Sequence, residues 1–425
     1  MVKLVKRRWE SADVFGLPRK DRASCTYEAY IPDRLVGRPI RLDGDVAADV
    51  ADAEAAVARF NGRATVLADT EALARLLLRA ESVASSKIEG LEVGARRLLR
   101  AEAAAALGED ATDVTATEVL GNIAAMRWAL GVIDTGGDIT VECLLEAHRR
   151  LLDGTRLADY GGKKREEQNW IGGSSYNPCS ASFVPPPPEY VIDLLDDLCR
   201  FCNSDDLPAI VQAAVAHAQF ETIHPFVDGN GRIGRALVHL VLRRRGLTVR
   251  VSPPISLVLA TWSRDYVAGL TATRYRGRST SESAVAGMNR WIALFATACI
   301  RAIDDAHLFE ARVAELRVGW RERLGSLRAN SGADLLFRAL PGAPILTVPA
   351  AAALIGRSFQ ATNQAIDRFV RAGIVQQVSV GRRNRAFEAP ELIDAFTDLE
   401  RQLASPTGDT RSSRPSRTVP RIEQR

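Results

Sequence analysis

The sequence predicts a mainly α-helical protein that ends in a small domain of helices and strands. Apolar residues recur at helical spacing along most of the 425 residues, which favours helices that pack on one another. Residues able to cap helices precede several of these stretches, such as Thr140 before Glu142 and Ser279 before Glu282. Hydrophobic residues make up 46% of the chain, enough for a sizeable core in two or three domains.

The N-terminal part contains two predicted helices. Three prolines among residues 1–40 favour an irregular arm that packs on the core. An Ala-rich stretch over residues 46–60 predicts a first helix. Residues 70–99 predict a second helix, with apolar side chains such as Leu73 and Leu76 at helical spacing.

A polar cluster lies within the second predicted helix. Residues 85–90 read Ser-Ser-Lys-Ile-Glu-Gly. Because Ser85 and Glu89 are four residues apart, a helix places both side chains on one face. The alternative interpretation is an ordinary polar helix face that ends at Gly90.

Further helices are predicted over residues 111–134, 140–152, 190–203, 207–222, 232–245 and 279–304. A charged stretch with recurring apolar residues at 303–327 predicts a long connecting helix.

Two short apolar or aromatic runs flank a turn rich in Gly, Ser, Asn and Pro. The first run contains Trp170, Ile171 and Gly172, and the second contains Phe183 and Val184. This pattern predicts a β-hairpin. A surface hairpin without a role is one alternative. The four prolines after the second run could instead mark a ligand for an aromatic-lined groove.

Residues 224–235 read His-Pro-Phe-Val-Asp-Gly-Asn-Gly-Arg-Ile-Gly-Arg and carry the strongest functional signal. They lie on a predicted loop that enters a helix, where free backbone N–H groups and the helix dipole favour an anion. Gly229 and Gly231 let the backbone approach a polyphosphate closely, and Asn230 can add an amide donor.

The charged side chains of this segment complete a site for phosphate chemistry. Arg232 and Arg235 are three residues apart, share a helical face and offer fork-shaped donors to phosphate oxygens. Asp228 suits Mg²⁺, which binds carboxylates together with substrate phosphates. His224 suits a general base because its unperturbed pKa lies near neutrality. A loop that only caps a helix does not explain this combination.

The segment resembles the signature of Fic-domain proteins, His-x-Phe-x-(Asp or Glu)-Gly-Asn-Gly-Arg-x-x-Arg, at every specified position. The resemblance implies a Fic-type helical core, ATP with Mg²⁺, and transfer of AMP to a hydroxyl side chain of a target protein. It also implies that His224 deprotonates the target hydroxyl, that Asp228 holds the Mg²⁺ on the phosphates, and that Phe226 is a buried anchor of the loop.

The resemblance also assigns the phosphate contacts. It implies that Asn230 and Arg232, with the backbone of Gly229 and Gly231, cradle the α- and β-phosphates. Arg235 takes the γ-phosphate in the same comparison.

Residues 85–90 resemble the inhibitory motif of Fic proteins, Ser/Thr-x-x-x-Glu-Gly/Asn, with Ser85, Glu89 and Gly90 at its specified positions. In that motif the Glu pairs with the second Arg of the signature, here Arg235, and occupies the space that the γ-phosphate needs. A carboxylate on this guanidinium removes the fork that orients the nucleotide, so ATP can bind only in an unproductive pose.

Two other regions resemble parts of Fic proteins. The predicted hairpin resembles the flap, which holds the target segment by adding a strand beside it. The predicted helix at residues 46–60 resembles the N-terminal region often found on these proteins.

Composition argues against several classes of protein. No apolar run is long enough to span a membrane, and the basic N-terminus lacks a following apolar stretch. We therefore expect a cytoplasmic protein without a membrane partner. The six cysteines are scattered, and the pair Cys199 and Cys202 alone does not predict a zinc or redox site. A net charge of +4 is too small to predict nucleic-acid binding by itself.

Five other polar residues have less specific predictions. His217, on the preceding helix, is expected to be a packed core histidine or a hydrogen-bonding support for the loop rather than a metal ligand. Arg79 and Glu81 are expected to pair on the surface of their helix. Tyr266 and Asn289 are candidates to contact adenine or ribose.

The C-terminal region predicts a winged helix-turn-helix. Thr347 can cap one helix, and Ser358 can cap a second that ends at Gly373. Residues 374–380 and 385–388 predict two strands around an Arg-rich turn.

This region suggests DNA as a partner, with an alternative. The second helix offers Gln360, Asn363 and Gln364 to base edges. The wing offers Arg382, Arg383 and Arg385 to phosphates. Winged helices also dock proteins or dimerise, so a homo-oligomer is a further interpretation.

The predicted organisation has five regions: an N-terminal region with the inhibitory helix at 1–105, a Fic core at 106–304, a linker helix at 305–332, a winged helix at 333–402 and a disordered basic tail at 403–425. The predicted function is an autoinhibited adenylyltransferase acting on Ser, Thr or Tyr of a protein. The alternative is a DNA-binding regulator whose core senses nucleotide, modifies itself or transfers another phosphate-containing group.

Overall fold

The computed structural model describes residues 1–10, 21–22, 24–63, 70–105, 107–108, 113–380 and 384–404. Within these residues the fold is mainly helical, as the sequence predicts, with two small antiparallel sheets. None of the described helices is both long and apolar enough to cross a membrane. The helices are α1 Gly44–Arg63, α2 Thr70–Ile88, α3 Ala95–Ala105, α4 Val114–Val132, α5 Val141–Leu152, α6 Val191–Cys202, α7 Ala209–Ile223, α8 Asn230–Arg244, α9 Ile255–Thr261, α10 Ser263–Ala272, α11 Glu282–Leu324, α12 Gly332–Ala339, α13 Val348–Ile355, α14 Phe359–Arg371 and α15 Pro390–Ala404.

A β-hairpin lies near the N-terminus, where the sequence predicts an irregular arm. Strands β1 (Lys3–Trp9) and β2 (Cys25–Ile31) are antiparallel, and Trp9 pairs with Cys25. β1 is exposed or half-buried along its length. Because a strand that buries little does not show a clear alternation of apolar and polar residues, its sequence gives only a weak signal. β2 packs its last three residues against the core.

Helix α7 lies at the centre of the core. All 15 of its residues are buried, and it packs against α6, α8 and α11. Trp291 of α11 donates its indole N–H to the Ala214 carbonyl of α7 over 2.7 Å. A helix that is buried all round is typical of such a central position, and its polar residues, such as Gln212 and Glu221, are buried with the rest. The segment between α7 and α8 is therefore attached at both ends to packed helices.

The last core helix and the predicted linker helix are one element. α11 is continuous for 43 residues, so the predicted boundary between residues 304 and 305 lies inside a helix. Its first part packs on α7 and α10. Its last part reaches the C-terminal unit, where the Trp320 indole donates to the Glu391 carboxylate of α15 over 2.6 Å.

The predicted helix over residues 70–99 is in fact two helices. α2 ends at Ile88 and α3 begins at Ala95. Gly90 between them has a φ of 81°, a left-handed conformation that glycine adopts readily and that commonly ends a helix. Gly90 was therefore the signal for this break, and apolar spacing alone did not reveal it.

Arg79 and Glu81 are buried, which corrects the prediction that they pair on the surface of α2. Glu81 accepts a hydrogen bond from the Ser256 backbone N–H of α9 over 2.7 Å and lies 2.9 Å from Nε2 of His239 in α8. Arg79 forms an ion pair with Glu102 of α3. Buried charges require such partners, and these contacts fasten α2 to three other helices.

The C-terminal unit contains α12 to α15 and a three-stranded sheet. Strands β4 (Gln376–Val380) and β5 (Asn384–Glu388) form a hairpin, and β5 also pairs with β3 (Ile345–Leu346). The side chains of Thr347 and Ser358 cap α13 and α14 as predicted. These are the elements, in the order, that the winged helix-turn-helix prediction requires. The wing-tip residues 381–383 and the predicted disordered tail from residue 405 onwards lie outside the described residues.

This unit packs on the N-terminal helices. α15 contacts α2, α3, α9 and α11. Arg100 of α3 pairs with the buried Glu388 of β5 over 3.0 Å. A Cβ added at Gly342 would lie 3.3 Å from the Cβ of Ala72, so the turn after α12 lies directly against the first turn of α2.

Candidate active site

The motif segment, residues 224–235, joins α7 to α8. His224 ends α7 in the left-handed conformation, with φ 51° and ψ 61°, and its backbone N–H donates to the Phe220 carbonyl. Such a conformation is uncommon outside glycine and costs on the order of 1–3 kcal/mol. Gly229, with φ 79°, precedes the first residue of α8. The surrounding structure therefore fixes His224 at the end of one helix and close to the start of the next.

Asn230 closes the loop on itself. Its Oδ1 accepts from the Phe226 N–H over 2.8 Å, and its Nδ2 donates to the Phe226 carbonyl over 2.9 Å. The side-chain amide, which the sequence predicts as a phosphate donor, is engaged inside the loop in this conformation. Its backbone N–H, at the start of α8, is the group suited to an anion.

Phe226 is fully buried, which matches its predicted role as an anchor. Its ring stacks on the imidazole of His148 in α5, with 3.7 Å between ring centroids and 8° between ring planes. The sequence does not predict a role for His148, which lies 80 positions before Asp228 and belongs to no local motif.

The imidazole of His224 is held neutral. Burial, followed by the nearby Arg165 and Arg274 guanidiniums, lowers the pKa of His224 to about 4. Its Nδ1 lies 4.0 Å from Oε2 of Glu221, one turn earlier on α7. Burial raises the pKa of that carboxyl to about 7. A neutral imidazole at physiological pH is the form that can accept a proton.

Arg232 and Asp228 form an incompletely satisfied pair. Nη2 of Arg232 donates to Oδ2 of Asp228 over 2.8 Å, and the Asp228 side chain is half-exposed. The guanidinium is buried, and its Nε and Nη1 have no hydrogen-bond partner among the described residues. Since buried polar groups are normally satisfied, these two N–H groups suit an anionic ligand.

Arg235, in contrast, is satisfied by the cluster predicted to be inhibitory. Its Nε donates to Oγ of Ser85 over 2.9 Å, and its Nη2 donates to the Ser85 carbonyl over 2.6 Å. Nη2 also lies 2.8 Å from Oε1 of Glu89. Burial is the largest influence on Glu89 and would raise its pKa, but Arg235, through its charge and its hydrogen bond, together with smaller contributions from Arg232 and His224, lowers the pKa. The ion pair that the resemblance implies is therefore present.

Glu89 also occupies space at the start of α8. A Cβ added at Gly231 would lie 2.0 Å from Oε1 of Glu89. Glycine at this position is thus required for the carboxylate to reach Arg235. Because Gly231 has no side chain, a phosphate can occupy the same space when Glu89 has moved away.

The flap segment, residues 170–184, has one antiparallel bridge instead of the two predicted strands. The Ile171 N–H donates to the Phe183 carbonyl over 2.8 Å, and the Phe183 N–H donates back over 3.2 Å. Gly172 follows with φ 74°. The four prolines after the second run cannot donate to a strand ladder. Pairing therefore stops on both sides of the bridge.

The N-terminal hairpin covers this flap. The ring of Trp170 makes an edge contact with Trp9 of β1, with centroids 5.3 Å apart. The Val184 carbonyl accepts from the Tyr30 N–H of β2 over 2.9 Å. The Phe183 ring lies 3.6 Å from the guanidinium carbon of Arg274. The predicted flap residues are thus held by parts of the chain that are distant in sequence.

A disulfide joins the hairpin to the flap. Cys25 of β2 is bonded to Cys179, at a sequence separation of 154 residues. The sequence analysis missed this pair because the cysteines are scattered. Cys199 and Cys202 are buried free thiols, and burial raises the pKa of both.

Arg165 links the flap to the motif loop, and the sequence analysis missed it too. Its Nε donates to the His224 carbonyl over 2.9 Å, and its Nη2 donates to the Pro186 carbonyl just after the flap. Asn169 adds donors to the carbonyls of His224 and Phe226. Burial lowers the pKa of Arg165 to about 10. No local pattern distinguishes these two side chains from others in a polar segment.

The remaining candidates lie behind the site. Nε2 of His217 lies 2.7 Å from the Tyr266 hydroxyl, so His217 packs in the core as predicted. That hydroxyl faces Arg235 at 3.5 Å. Asn289 accepts from the Asp43 N–H and donates to the Arg41 carbonyl. Tyr266 and Asn289 are both buried and engaged, so their predicted contacts with adenine or ribose stay predictions.

The site fits a nucleotide with a divalent cation. The unpartnered N–H groups of Arg232 and the space beside Gly231 suit phosphate oxygens. The half-exposed Asp228 carboxylate suits Mg²⁺. No group of three or more His, Cys, Asp or Glu side chains suited to a metal occurs among the described residues. A Mg²⁺ site of one carboxylate plus substrate phosphates requires no such group.

Two family models match the chain. The Fic/DOC family matches residues 138–242, and the Fic/DOC N-terminal family matches residues 47–131. The first match contains the motif loop and the flap, and the second contains Ser85 and Glu89. The N-terminal match extends through α4, beyond the predicted domain boundary at residue 105.

Part of the chain is similar in sequence to named proteins from two nematodes. Protein adenylyltransferase fic-1 of Caenorhabditis briggsae is 31% identical over 196 residues, which cover 44% of this chain and 36% of that protein. The protein of the same name from Caenorhabditis elegans is 30% identical over 220 residues, which cover 48% and 40%. The chain thus spans about two-fifths or less of the length of these relatives.

A solved structure shares the fold. The crystal structure of a Fic family protein from Desulfovibrio desulfuricans G20 matches with a TM-score of 0.51 and 20% sequence identity, covering 83% of this chain and 98% of that one. The family-model matches, one over the motif loop and one over the segment with Glu89, place a Fic/DOC domain and its N-terminal region within residues 47–242 of the chain.

Proposed function

We propose that the chain is an autoinhibited protein adenylyltransferase, which transfers AMP from ATP to a hydroxyl side chain of a target protein. The observation that carries the proposal is the first turn of α8. There the buried Arg232 has two N–H groups without partners among the described residues, beside the Asp228 carboxylate. The neutral His224 lies in the same loop. The names of the two nematode relatives support this activity.

His224 is the general base in this proposal. Its Nδ1 faces Glu221, which leaves Nε2 to take the proton of the target hydroxyl. The hydroxyl oxygen bonds to the α-phosphorus, the bond from that phosphorus to the bridging oxygen breaks, and pyrophosphate leaves. Catalysis by this chain is then mainly positioning and charge neutralisation.

The phosphates are held by the start of α8. The free N–H groups of Arg232 and the backbone around Gly231 bind the α- and β-phosphates, where the helix dipole favours negative charge. Asp228 would hold Mg²⁺, which neutralises charge on the phosphates when bound. This role requires Asp228 to share its carboxylate with Arg232 or to leave it. Arg235 binds the γ-phosphate once Glu89 moves away.

Autoinhibition follows from the partners of Arg235. Its Nε and Nη2 are occupied by Ser85 and Glu89, so it cannot offer both to the γ-phosphate. The Glu89 carboxylate also lies beside Gly231, where it repels phosphate oxygens. Displacement of Glu89 removes its ion pair with Arg235 and the repulsion together, while Ser85 still binds the guanidinium.

The flap is proposed to hold the target. A flap with a single backbone bridge of its own can bind a peptide through main-chain hydrogen bonds. The half-buried rings of Trp170 and Phe183 can contact the peptide's side chains with the surface that Trp9 and Arg274 leave open. Arg165 bonds both the flap and the His224 carbonyl, which supports a coupled placement of target and base.

Labelled ATP tests the proposal. Wild type, Glu89→Gly and Glu89→Gly/His224→Ala are incubated with a native lysate and ATP labelled at either the α- or the γ-phosphorus. Glu92→Gly is the matched control, because Glu92 is exposed in the same turn and is not paired with Arg235. We expect Glu89→Gly to incorporate the α-label at least about 10-fold above wild type and Glu92→Gly, since an ion pair to a charged partner contributes about 1.5–3 kcal/mol.

Each result has a distinct meaning. Incorporation of the γ-label would indicate phosphoryl transfer instead of AMP transfer. Equal labelling by wild type and Glu89→Gly would contradict autoinhibition. Retained labelling in the double variant would mean that a group other than His224 takes the proton.

DNA binding by the C-terminal unit is a second proposal. Gln360 and Gln364 are exposed on α14, as this function requires, whereas the amide of Asn363 lies 3.3 Å from Asp367. Mobility-shift experiments at several salt concentrations, with Gln364→Ala as the variant, test it. Specific binding survives competitor DNA and is weakened by the variant, whereas binding that disappears with salt alone is electrostatic.

A further inference from the structure

His148 lies directly beneath the motif loop. It is on α5, is fully buried and packs its ring flat against Phe226. A Cβ added at Gly229 would lie 2.6 Å from Cδ2 of Leu151 and 3.5 Å from Cδ2 of His148. The loop therefore rests on this face of α5 without a gap.

Two hydrogen bonds fix the tautomer of this imidazole. The backbone N–H of Gly162 donates to Nδ1 over 3.1 Å, so Nδ1 carries no proton. Nε2 therefore carries the proton and donates it to the Asp228 carbonyl over 3.0 Å. Both ring nitrogens are used, and neither contacts the side chain of a reacting residue.

The hydrogen bond to the Asp228 carbonyl lies between two groups that the proposed function uses. Asp228 supplies the carboxylate proposed to hold Mg²⁺, and the next residue, Gly229, is the left-handed residue that starts α8. A bond to the carbonyl between them limits rotation of that peptide. The direction of the carboxylate and the direction of the first N–H groups of α8 depend on the same peptide plane.

We propose that His148 is a positioning residue, which holds the Asp228 peptide through Nε2–H and holds Phe226 through its ring. It thereby aims the carboxylate at Mg²⁺ and the start of α8 at the phosphates. The role resembles that of outer groups in metal sites, whose loss typically weakens metal binding by about 10–100-fold. The inference rests on the proposed function of the site.

Two substitutions in the Glu89→Gly background separate the ring from the hydrogen bond. His148→Phe keeps a ring against Phe226 and loses both hydrogen bonds. His148→Gln can place an amide N–H near the position of Nε2 and loses the stacking. Leu144→Ala is the control for general damage, because Leu144 is buried one turn earlier on the same face of α5.

Three measurements are made on each protein: the melting temperature without ligand, the dissociation constant of ATP at several Mg²⁺ concentrations by calorimetry, and the Mg²⁺ concentration for half-maximal transfer. We expect His148→Phe to raise the half-maximal Mg²⁺ concentration about 10-fold and to reduce the benefit of Mg²⁺ for ATP binding. We expect His148→Gln to recover part of both effects. Leu144→Ala should lower the melting temperature and leave the Mg²⁺ dependence unchanged.

Unchanged Mg²⁺ dependence in His148→Phe overturns the inference, as does an equal change in Leu144→Ala. Failure of the proposed function is distinct, because the Glu89→Gly parent would then transfer no α-label. The calorimetric series still decides the role of His148 in that case. A parent that binds ATP equally well with and without Mg²⁺ overturns both proposals.

Discussion

The motif loop and the flap are adjacent but are held in different ways. The loop at residues 224–230 is closed mainly by its own atoms, through the amide of Asn230 and the left-handed residues at its two ends. The flap is held by the N-terminal hairpin, through the Cys25–Cys179 disulfide and the bond from Tyr30 to Val184. The chemistry therefore lies on a locally determined element, and the proposed target site lies on one that depends on distant contacts.

The comparison predicts different responses to mutation. Damage to the loop should affect the chemical step and ATP binding together, because the proposed base, metal ligand and phosphate donors share one short segment. Damage to the flap should affect the target alone, because its fastening contacts do not involve the phosphate groups. Arg165 is the exception, since it bonds both elements.

The largest expected effect is that of Asn230→Ala in the Glu89→Gly background. The substitution leaves the N–H of the buried Phe226 without its partner, at a cost of about 1–3 kcal/mol, whereas the Phe226 carbonyl still accepts from Asn169. We expect kcat/KM to fall about 100-fold or more, and the free energy of unfolding of the ligand-free protein to fall by about 1–3 kcal/mol. Urea unfolding and transfer assays measure the two quantities.

Asn230→Asp is the control, since it keeps an acceptor for the Phe226 N–H and loses the donor. A residue that acted only on phosphate would change ATP binding and leave unfolding of the ligand-free protein unaltered. That pattern would contradict the closing role of the Asn230 amide.

A smaller effect is expected for Ser85→Ala in the otherwise wild-type chain. The substitution removes the Oγ that accepts from Nε of Arg235, but the Ser85 carbonyl and Glu89 still bind Nη2. We expect partial activation of α-label transfer, several-fold and below that of Glu89→Gly. Ser86→Ala is the control, because the Ser86 hydroxyl bonds the Ser82 carbonyl and the Asn122 amide and not Arg235. Activation by Ser86→Ala of the same size would mean that the helix, rather than the contact with Arg235, was loosened.

The two regions also differ in how far the sequence predicted them. The pairing of Glu89 with Arg235 was predictable because both lie in short motifs whose spacing carries the information. The inward orientation of the Asn230 amide was not, since a motif gives residue types and not the directions of side chains. The fold class was predictable from apolar periodicity, whereas the break after α2 depended on one glycine.

The supporting residues were not predictable from local pattern. His148 and Arg165 contact the loop from positions about 60–80 residues away in the chain, and nothing in their neighbourhoods marks them. Arg79 and Glu81 were predicted to lie on the surface of α2. Burial of their charges depends on partners in other helices, such as Glu102 and Ser256, and the sequence of α2 alone does not show these partners. Sequence spacing describes one helix face and not what packs against it.

The third prediction concerns the flap and its disulfide. Cys25→Ser in the Glu89→Gly background should lower the free energy of unfolding by about 2–4 kcal/mol, because the bond closes a long loop of the unfolded chain. It should raise KM for the target a few-fold and leave KM for ATP unchanged, since the flap alone loses a fastening contact. Cys143→Ser, at a free and half-buried cysteine, is the control. A change in KM for ATP would contradict the separation of flap and loop.

The smallest expected effect is that of mild acid on the chemical step. Because the pKa of His224 is lowered to about 4, the imidazole stays neutral at pH 5.5, and kcat/KM should fall by less than about twofold between pH 7.5 and pH 5.5. A histidine with the usual pKa of about 6.5 would lose roughly 90% of its neutral form over that range. The Glu89→Gly parent is suited to the test, because removal of Glu89 takes away a carboxylate that raises the pKa of His224.

Titration of Glu221 could produce the same pH dependence as titration of His224. Burial raises the pKa of Glu221 to about 7, and its carboxylate lies 4.0 Å from Nδ1 of His224. Glu221→Gln removes that titration and keeps the side-chain shape. If kcat/KM of the parent falls near pH 6.5 and the fall persists in Glu221→Gln, the imidazole itself titrates there. In that case the burial of His224 and the guanidiniums of Arg165 and Arg274 do not determine the pKa of His224. If the fall disappears in Glu221→Gln, the loss of kcat/KM in acid is due to titration of the Glu221 carboxyl. The buried carboxyl at the end of α7, rather than a group on the solvent-exposed side of the loop, then controls the activity of His224 as a base.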